Sequence, residues 1–205
     1  MPRQLIPHNE YQKLKIRSRG YLPHWEIEGA TYSITHRLID SLPIEVTRQL
    51  SLEKQAMERQ ITGGIRALTV IERSRIGDAF ALRLDDELHA ERGACHLRNS
   101  KLADLVAGNL QYFNGRRYEL YSWCVMSNHV HTVVKPFAGE CLEEILHSWK
   151  SYTAHKATAI VGTRKLWARE YFDRMIRDER HLADAISYVR NNPAKAGLVN
   201  WKWVG

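Results

Sequence analysis

The sequence predicts an α+β fold of the ferredoxin-like or RRM-like type, in which a split βαβ arrangement forms a four-stranded antiparallel sheet with packed helices. Two observations support this fold class. The predicted elements follow the order strand, helix, strand, strand, helix, strand, helix. The chain has 205 residues, of which 44% are hydrophobic, so it can bury a substantial core within one domain.

The predicted domain covers residues 30–205 and follows a basic N-terminal arm, residues 1–29. The polar, basic arm is equally consistent with a solvated tail and with a segment that contacts nucleic acid. At about residues 61–92 the sequence exceeds the compact fold. Gly63-Gly64 ends a helix there, and the charged and apolar mixture that follows fits either one broken helix or a helical insertion.

Alternating apolar residues predict a first strand over residues 31–38. Pro43 suits the first turn of the helix that follows. Asn99 is a good N-cap for a further helix, which Asn114-Gly115 ends. The apolar residues that recur on one side of these two helices are Val46, Leu50 and Met57 in the first, and Leu102, Leu105, Val106, Leu110 and Phe113 in the second.

Residues 118–136 contain two strand-like runs that meet at Ser127-Asn128, which predicts an antiparallel hairpin. In the second run, alternation turns His129 and His131 to one face and valines to the other. A strand with this pattern offers a pair of imidazole ligands from a rigid sheet. In the first run, alternation predicts one shared face for Tyr118, Leu120, Ser122, Cys124 and Met126.

The remaining predicted elements are a helix over about residues 141–159, a strand over 171–178 and a final helix. On a helical wheel, Asp184, Tyr188 and Asn192 share one flank of the final helix, away from its apolar centre. Pro193 disfavours the α conformation for the residue before it, so the helix is predicted to end at Asn192.

Two imidazoles and the amide oxygen of Asn192 would form a mixed nitrogen and oxygen site with open positions. Such a site suits Mg²⁺ or Mn²⁺ bound together with a phosphate substrate better than a closed structural zinc site. A tyrosine hydroxyl placed in line with a metal-polarised phosphorus can attack it and form a phosphotyrosine. Tyr188 is the candidate nucleophile, and Tyr152 is a competing tyrosine that has no ligand at the right spacing after it.

The segment 127–131, SNHVH, resembles the His-hydrophobic-His motif of HUH endonucleases. Residues 167–174, WAREYFDR, and 188–197, YVRNNPAKAG, resemble the C-terminal part of the REP-associated tyrosine transposases, which are single-tyrosine members of the IS200-like transposase family. The resemblance is close over about residues 118–199, looser over 31–38 and not recognised across 61–92.

This resemblance implies that His129, His131 and Asn192 bind a divalent metal, Mg²⁺ or Mn²⁺. It implies that Tyr188 forms a 5′-phosphotyrosine with single-stranded DNA and frees a 3′-hydroxyl. The implied partner is hairpin DNA from repetitive extragenic palindromes, together with the short single strand beside it. Whether the protein acts as a monomer or as a homodimer stays open.

Charge and cysteine usage agree with a DNA partner inside the cell. The net charge of +7 and the isoelectric point near 9.4 favour a polyanionic partner. Cys95, Cys124 and Cys141 show neither a zinc-knuckle nor a disulfide pattern. No apolar run is long enough for a membrane span, and the N-terminus lacks the apolar segment of a signal peptide, so a cytoplasmic location is expected.

Two other functions compete with the transposase interpretation. A histidine-triad nucleotide hydrolase would need a third histidine where Val133 stands, which makes that function the weaker alternative. A domesticated protein that binds DNA or RNA without cleaving it would keep the sheet and the basic surface, and Tyr121 and Trp123 could stack on bases. Cleavage of a labelled strand with a covalent adduct separates an enzyme from such a binding protein.

Overall fold

The protein folds around a four-stranded antiparallel sheet, as predicted. The structure is a computed structural model that describes Leu5, residues 15–18 and residues 23–205. The predicted arm, residues 1–29, lies largely outside the described residues. Its described part contains a small antiparallel pair, β1 (Lys15–Ser18) and β2 (Pro23–Glu26).

The four strands of the main sheet are β3 (Thr31–Leu38), β4 (Tyr118–Val125), β5 (His129–Pro136) and β6 (Trp167–Ile176), in the order β4-β5-β3-β6. The helices are α1 (Ile44–Thr62), α2 (Val70–His89), α3 (Ser100–Tyr112), α4 (Leu142–Val161) and α5 (Glu179–Lys195), with a short 3₁₀ helix at His96–Arg98. Apart from the β1–β2 pair, the 3₁₀ helix and two additional helices between β3 and β4, this is the predicted order, and the fold class is confirmed. None of the described helices is both long and apolar enough to cross a bilayer.

Alternation along β5 directs its side chains into two separate cores. Val130 and Val134 face the large core beneath α3 and α4, which includes Trp149 and Tyr118. Val133 faces the opposite side, where it packs with the apolar side of α5. The histidines of β5 share that second side with Val133, so the fold separates the site from the main core.

The region that the sequence left undecided forms α1, a turn and α2. Gly63 adopts a left-handed conformation with φ of 61° and ends α1. A capping box starts α2, in which the Thr69 side chain accepts from the Glu72 backbone and the Glu72 carboxylate accepts from the Thr69 backbone. The inner side of the two helices forms a third apolar cluster, which reaches the sheet at Phe172; its buried members are Leu42, Leu50, Phe80, Leu84 and Leu88.

Two local predictions about the strands are wrong. The last strand covers residues 167–176 instead of 171–178. In β4 the register shifts between Leu120 and Ser122, and this bulge reverses the predicted alternation. Leu120 therefore packs against the main core, whereas Cys124 faces the second side with α5.

The final helix does not end at Asn192 but continues through Pro193 to Lys195. Both Asn192 and Pro193 are buried, so tertiary packing outweighs the local preference of a residue that precedes proline. The helix then ends in a turn in which the Gly197 amide donates to the Ala194 carbonyl. The extra turn keeps Asn192 in line with Tyr188 on the same flank.

Candidate metal and tyrosine site

His129 and His131 are brought together on β5 as the alternation predicted. Their Nε2 atoms lie 2.9 Å apart, and their ring planes are inclined by 87°. The two side chains are 1% and 2% exposed as residues, so bulk water scarcely reaches them. Two ring nitrogens at this distance require a shared proton or a cation between them, because two facing lone pairs would repel each other.

The other nitrogen of each ring contacts a neighbouring polar side chain. The Nδ1 atom of His129 lies 2.7 Å from Oδ1 of Asn128, and Nδ1 of His131 lies 2.9 Å from Oγ1 of Thr35. Thr35 lies on β3 directly opposite His131 in the sheet register. Partners of this kind hold the ring orientation of metal-binding histidines.

Helix α2 contributes a carboxylate and a third imidazole that the sequence interpretation did not include. Oδ1 of Asp85 lies 3.7 Å from Nε2 of His131, and one ligand atom from each of Asp85, His129 and His131 lies within 4.8 Å of the others. The ring of His89, one helical turn further along α2, lies 6.0 Å from that of His129. The only sequence signal for these residues is their i, i+4 spacing, which gives no indication of where the helix packs.

Asn192, the predicted third ligand, contacts His89 of α2, whose ring lies 6.0 Å from that of His129. Its Oδ1 lies 3.0 Å from Nε2 of His89, and its Nδ2 is buried without a hydrogen-bond partner among the described residues. Because an amide oxygen can only accept, His89 Nε2 donates in this arrangement. If the amide turned over, Nδ2 could donate to a neutral His89 and the oxygen would be released.

Tyr188 lies on the flank of α5 that faces the two β5 histidines. Its ring meets that of His131 edge to face, with 5.8 Å between the centroids. The hydroxyl is buried and has no hydrogen-bond partner among the described residues. Nζ of Lys195 lies 4.6 Å from the centre of the tyrosine ring. An unpartnered phenol beside an imidazole pair is unusual for a purely structural tyrosine.

Two cavities meet at Tyr188. A cavity of about 100 Å³ lies on the histidine side and is lined by His131, Asp85, Thr35 and Tyr188, among others. A more open cleft of about 410 Å³ also reaches the tyrosine, and its lining includes Arg174, Arg177, Arg180, His181, Asp78, Asp178 and Asp184. Tyr188 therefore lines both a small, mainly apolar cavity and a cleft whose walls carry three arginines and three aspartates.

Burial controls the charge state of the site. It lowers the pKa of His131 to about 3, with smaller contributions from His89 and Arg174, and it lowers the pKa of His129 well below its ordinary value. Burial raises the pKa of Asp85 to about 7, and Arg174 opposes this rise. The two imidazoles are therefore neutral at physiological pH, which is the form that binds a metal ion.

The competing tyrosine, Tyr152, is not part of this site. It lies on α4 and is 48% exposed. The buried residues of α4 pack in the core on the opposite side of the sheet from His129 and His131. A nearby lysine, Lys156, lies 6.0 Å from its ring centre. Tyr152 is thus a surface residue of the helix that covers the main core.

The antiparallel sheet with a His-x-His pair next to a tyrosine on the terminal helix is the arrangement that the resemblance to single-tyrosine transposases predicted. Residues 101–192 match the family model described as "Transposase IS200 like". This match includes His129, His131, Tyr188 and Asn192 and begins after α2. This part of the chain is therefore similar to the IS200-like transposases, and the resemblance found in the sequence is confirmed to that extent.

Two solved structures are similar to this chain, and the first of them supports the fold. One, described as a REP-associated tyrosine transposase bound to a REP hairpin, shares 14% identity, covers 88% of this chain and 79% of its own, and has a TM-score of 0.51. Another, described as a proposed transposase from Deinococcus radiodurans R1, shares 11% identity with a TM-score of 0.36 and covers 86% of this chain and 96% of its own. No protein of curated function matches the chain.

Proposed function

We propose that this protein is a metal-dependent DNA endonuclease and strand transferase that cleaves and rejoins single-stranded or hairpin DNA through a 5′-phosphotyrosine at Tyr188. One observation carries the proposal. The ring of Tyr188, whose hydroxyl has no partner among the described residues, meets His131 at 5.8 Å beside a cavity that His131 and Asp85 also line, and these two residues form a potential metal site with His129. A nucleophile and a potential metal site thus face the same small space.

The donor atoms fit a divalent cation such as Mn²⁺ or Mg²⁺. His129 and His131 would bind it through Nε2, and Asp85, or Asn192 after its amide turns over, would add an oxygen. Two histidines and one oxygen donor leave coordination positions for phosphate oxygens. When bound, the ion would act as a Lewis acid on the scissile phosphate.

The reaction balances without any further reactant. The phenolic oxygen of Tyr188 forms a bond to phosphorus while the bond from phosphorus to the 3′-oxygen breaks. The phenol loses one proton and the departing 3′-oxygen gains one. Because one phosphodiester replaces another, the reverse attack by a 3′-hydroxyl rejoins a strand and releases the tyrosine.

The proposed DNA partner is consistent with the charge and with the fold. The chain carries a net charge of +7, and Arg174, Arg177 and Arg180 line the cleft that borders Tyr188. The solved relative with the same fold is described with a REP hairpin bound. We propose hairpin DNA with an adjoining single strand as the substrate of this chain, with the arginine-lined cleft as the path of the backbone.

Substrate entry requires a conformational change on this proposal. The cavity beside His131 has a volume of about 100 Å³, whereas pockets for small ligands are commonly about 300 Å³ or more. Helix α2 closes this cavity, since Phe80, Leu84 and Asp85 all line it. A nucleotide can lie between Tyr188 and the imidazoles only after α2 has shifted outwards.

The enclosure of the His131 cavity by α2 also supports a second candidate function. In that function the protein binds hairpin DNA without cleaving it. If α2 never moves, DNA reaches the arginine-lined cleft but not the imidazole pair. The two functions differ in one product. Only the enzyme leaves a nucleotide covalently attached to the chain.

The deciding experiment is incubation with Mn²⁺ and labelled hairpin oligonucleotides that carry single-stranded flanks, followed by mass mapping of any modified peptide. We expect the adduct on the peptide that contains Tyr188. Tyr188→Phe is expected to abolish the adduct and to retain DNA binding. Tyr152→Phe is the matched control and should form the adduct normally. An adduct on another residue, or none with any hairpin substrate, would reject the proposed chemistry.

A further inference from the structure

Asn128 is completely buried in the turn between β4 and β5, immediately before the first histidine. Its amide contacts three groups at once. Oδ1 lies 2.7 Å from Nδ1 of His129, and Nδ2 lies 3.1 Å from the carbonyl oxygen of Leu88 and 3.4 Å from that of Arg92. The side chain therefore connects the C-terminal end of α2 to the strand that carries the imidazole pair.

These contacts fix the orientation of the amide. Carbonyl oxygens only accept hydrogen bonds, so the NH₂ group must be the end that faces Leu88 and Arg92. The amide oxygen must then face His129. Because this oxygen can only accept, Nδ1 of His129 carries the proton, and the neutral ring presents a lone pair at Nε2.

His131 is not restricted in the same way. Its Nδ1 lies 2.9 Å from the hydroxyl of Thr35, which can either donate or accept. Without a cation, Nε2 of His131 can donate its proton across the 2.9 Å gap to Nε2 of His129. When a cation binds, the proton can instead occupy Nδ1 of His131, and Thr35 then accepts. One ring of the pair is fixed, and the other can change tautomer.

We propose that Asn128 is a positioning residue for the divalent-metal site, which holds His129 in the tautomer with Nδ1 protonated and Nε2 free to bind the cation. The inference rests on the proposed function, since it assumes that His129 and His131 bind a metal ion. Outer partners that fix the tautomer and orientation of a ligand are worth about 10-fold to 100-fold in metal affinity. The NH₂ group of the same side chain donates to the carbonyl oxygens of Leu88 and Arg92 at the end of α2.

A purely structural role is the competing explanation, because the same amide satisfies two carbonyl oxygens at the end of α2. Two substitutions separate the roles. Asn128→Ala removes both the oxygen that faces His129 and the NH₂ group that faces α2. Asn128→Asp keeps an acceptor towards His129 and loses the NH₂ group. A structural role predicts that both variants lose stability and that metal affinity follows stability.

The test measures Mn²⁺ affinity by electron paramagnetic resonance and stability by thermal unfolding for the wild type and both variants. We expect Asn128→Ala to bind Mn²⁺ about 10-fold to 100-fold more weakly. Asn128→Asp should stay within about threefold of the wild type although it is less stable, because a carboxylate also accepts from Nδ1. Equal affinity of Asn128→Ala and the wild type would overturn the inference, as would equally weak binding by both variants.

A second measurement uses the wild type and does not depend on whether the Asn128 variants fold. Long-range ¹H–¹⁵N correlation spectra of the metal-free wild type report which nitrogen of each histidine carries the proton, and the signals of His129 are identified by their loss in His129→Gln. We expect protonation at Nδ1. A proton on Nε2 of His129 that faces solvent or His131 would overturn the inference. If the wild type itself binds no Mn²⁺, the proposed function fails instead, which is a separate outcome.

Discussion

The strand β5 and the helix α2 supply the site in different ways. On β5, the two histidines belong to a central strand that is paired on both sides, to β3 and to β4. On α2, Asp85 and His89 belong to a helix that packs on the sheet through an apolar cluster and reaches it at Phe172. The family match also begins beyond α2, at residue 101. The strand thus provides a fixed pair of candidate ligands, and the helix provides groups whose position depends on docking.

This difference has a physical basis. A strand in the middle of a sheet is held by two ladders of hydrogen bonds, so its side chains keep their direction. A helix that docks through side chains can shift when those contacts are weakened. The imidazole pair is therefore expected to act in every state of the protein, whereas Asp85 and His89 contribute only while α2 is closed over the site.

The largest expected effect comes from the strand. His131→Ala removes one nitrogen donor and is expected to weaken Mn²⁺ binding by at least about 100-fold, or about 2.7 kcal/mol. Cleavage of hairpin DNA should be lost in parallel. His147→Ala is the control, since His147 is an exposed histidine on α4, and it should bind Mn²⁺ like the wild type. Titration calorimetry measures the Mn²⁺ affinity of both variants. Equal losses of affinity in the two variants would contradict a specific site on β5.

A fall in pH is expected to change the stability contributions of His131 on β5 and Asp85 on α2 in opposite directions. The pKa of His131 is lowered by burial to about 3, so the stability that its neutral form contributes is complete above about pH 6.5 and is lost as the pH falls towards 3. The pKa of Asp85 is raised by burial to about 7, so its contribution is present below about pH 4 and is lost as the pH rises through 7.

Between pH 7 and pH 5, the His131 contribution should therefore fall by about 2 kcal/mol in the metal-free protein. We expect His131→Gln to lose less free energy of unfolding over this interval than the wild type, and Asp85→Asn to lose more. Urea unfolding in the presence of a chelator at the two pH values measures this. If the two variants change the pH dependence in the same direction, strand and helix do not have opposite roles.

Sequence reasoning predicted which side chains of β5 and α5 share a face, but it missed the contribution of α2 to the candidate site for a physical reason. The alternation of β5 and the i, i+4 spacing of Tyr188 and Asn192 are local patterns, and local geometry alone decides which side chains share a face. The position of Asp85 depends on Leu84 and Leu88 packing against a sheet whose other strands lie far away in the sequence. No local pattern encodes that docking.

The features of the fold also divide into those that local sequence patterns predict and those that tertiary contacts determine. The order of strands and helices and the antiparallel sheet follow from periodicity, caps and turn residues. The bulge in β4 and the continuation of α5 through Pro193 are set by contacts across the sheet, which overrode the local preferences. The predicted ligand role of Asn192 depends on whether the oxygen or the nitrogen of its side-chain amide faces His89. The spacing of residues in the sequence does not determine this orientation.

A smaller effect is expected from the carboxylate of α2. Asp85→Asn keeps the shape of the side chain and removes its charge, and we expect about a 10-fold loss of Mn²⁺ affinity at pH 8, or about 1.4 kcal/mol. Asp86→Asn is the matched control, because Asp86 is the adjacent, exposed residue of the same helix. If Asn192→Ala weakens binding more than Asp85→Asn does, the amide of α5, and not the carboxylate of α2, supplies the oxygen ligand.

The smallest expected effect concerns the closure of α2. Asp78 of α2 pairs with Arg174 at 3.1 Å and with Arg177 at 3.6 Å, and these partly exposed ion pairs hold the helix against the end of β6. Asp78→Ala is expected to cost less than about 1 kcal/mol of stability. Because the proposed reaction requires α2 to move outwards, the same substitution should raise the rate of adduct formation by up to about fivefold.

Removal of a negative charge from the arginine-lined cleft would also attract DNA, so a control for charge is needed. Asp184→Ala removes a carboxylate from the same cleft, and Asp184 forms no ion pair with any other described residue. Any rate increase that both variants share is electrostatic, and the excess in Asp78→Ala reports the opening of α2. Single-turnover rates with saturating hairpin DNA measure the difference. Equal rates in both variants would mean that DNA reaches Tyr188 while α2 stays closed, and the helix would then be a permanent wall of the site.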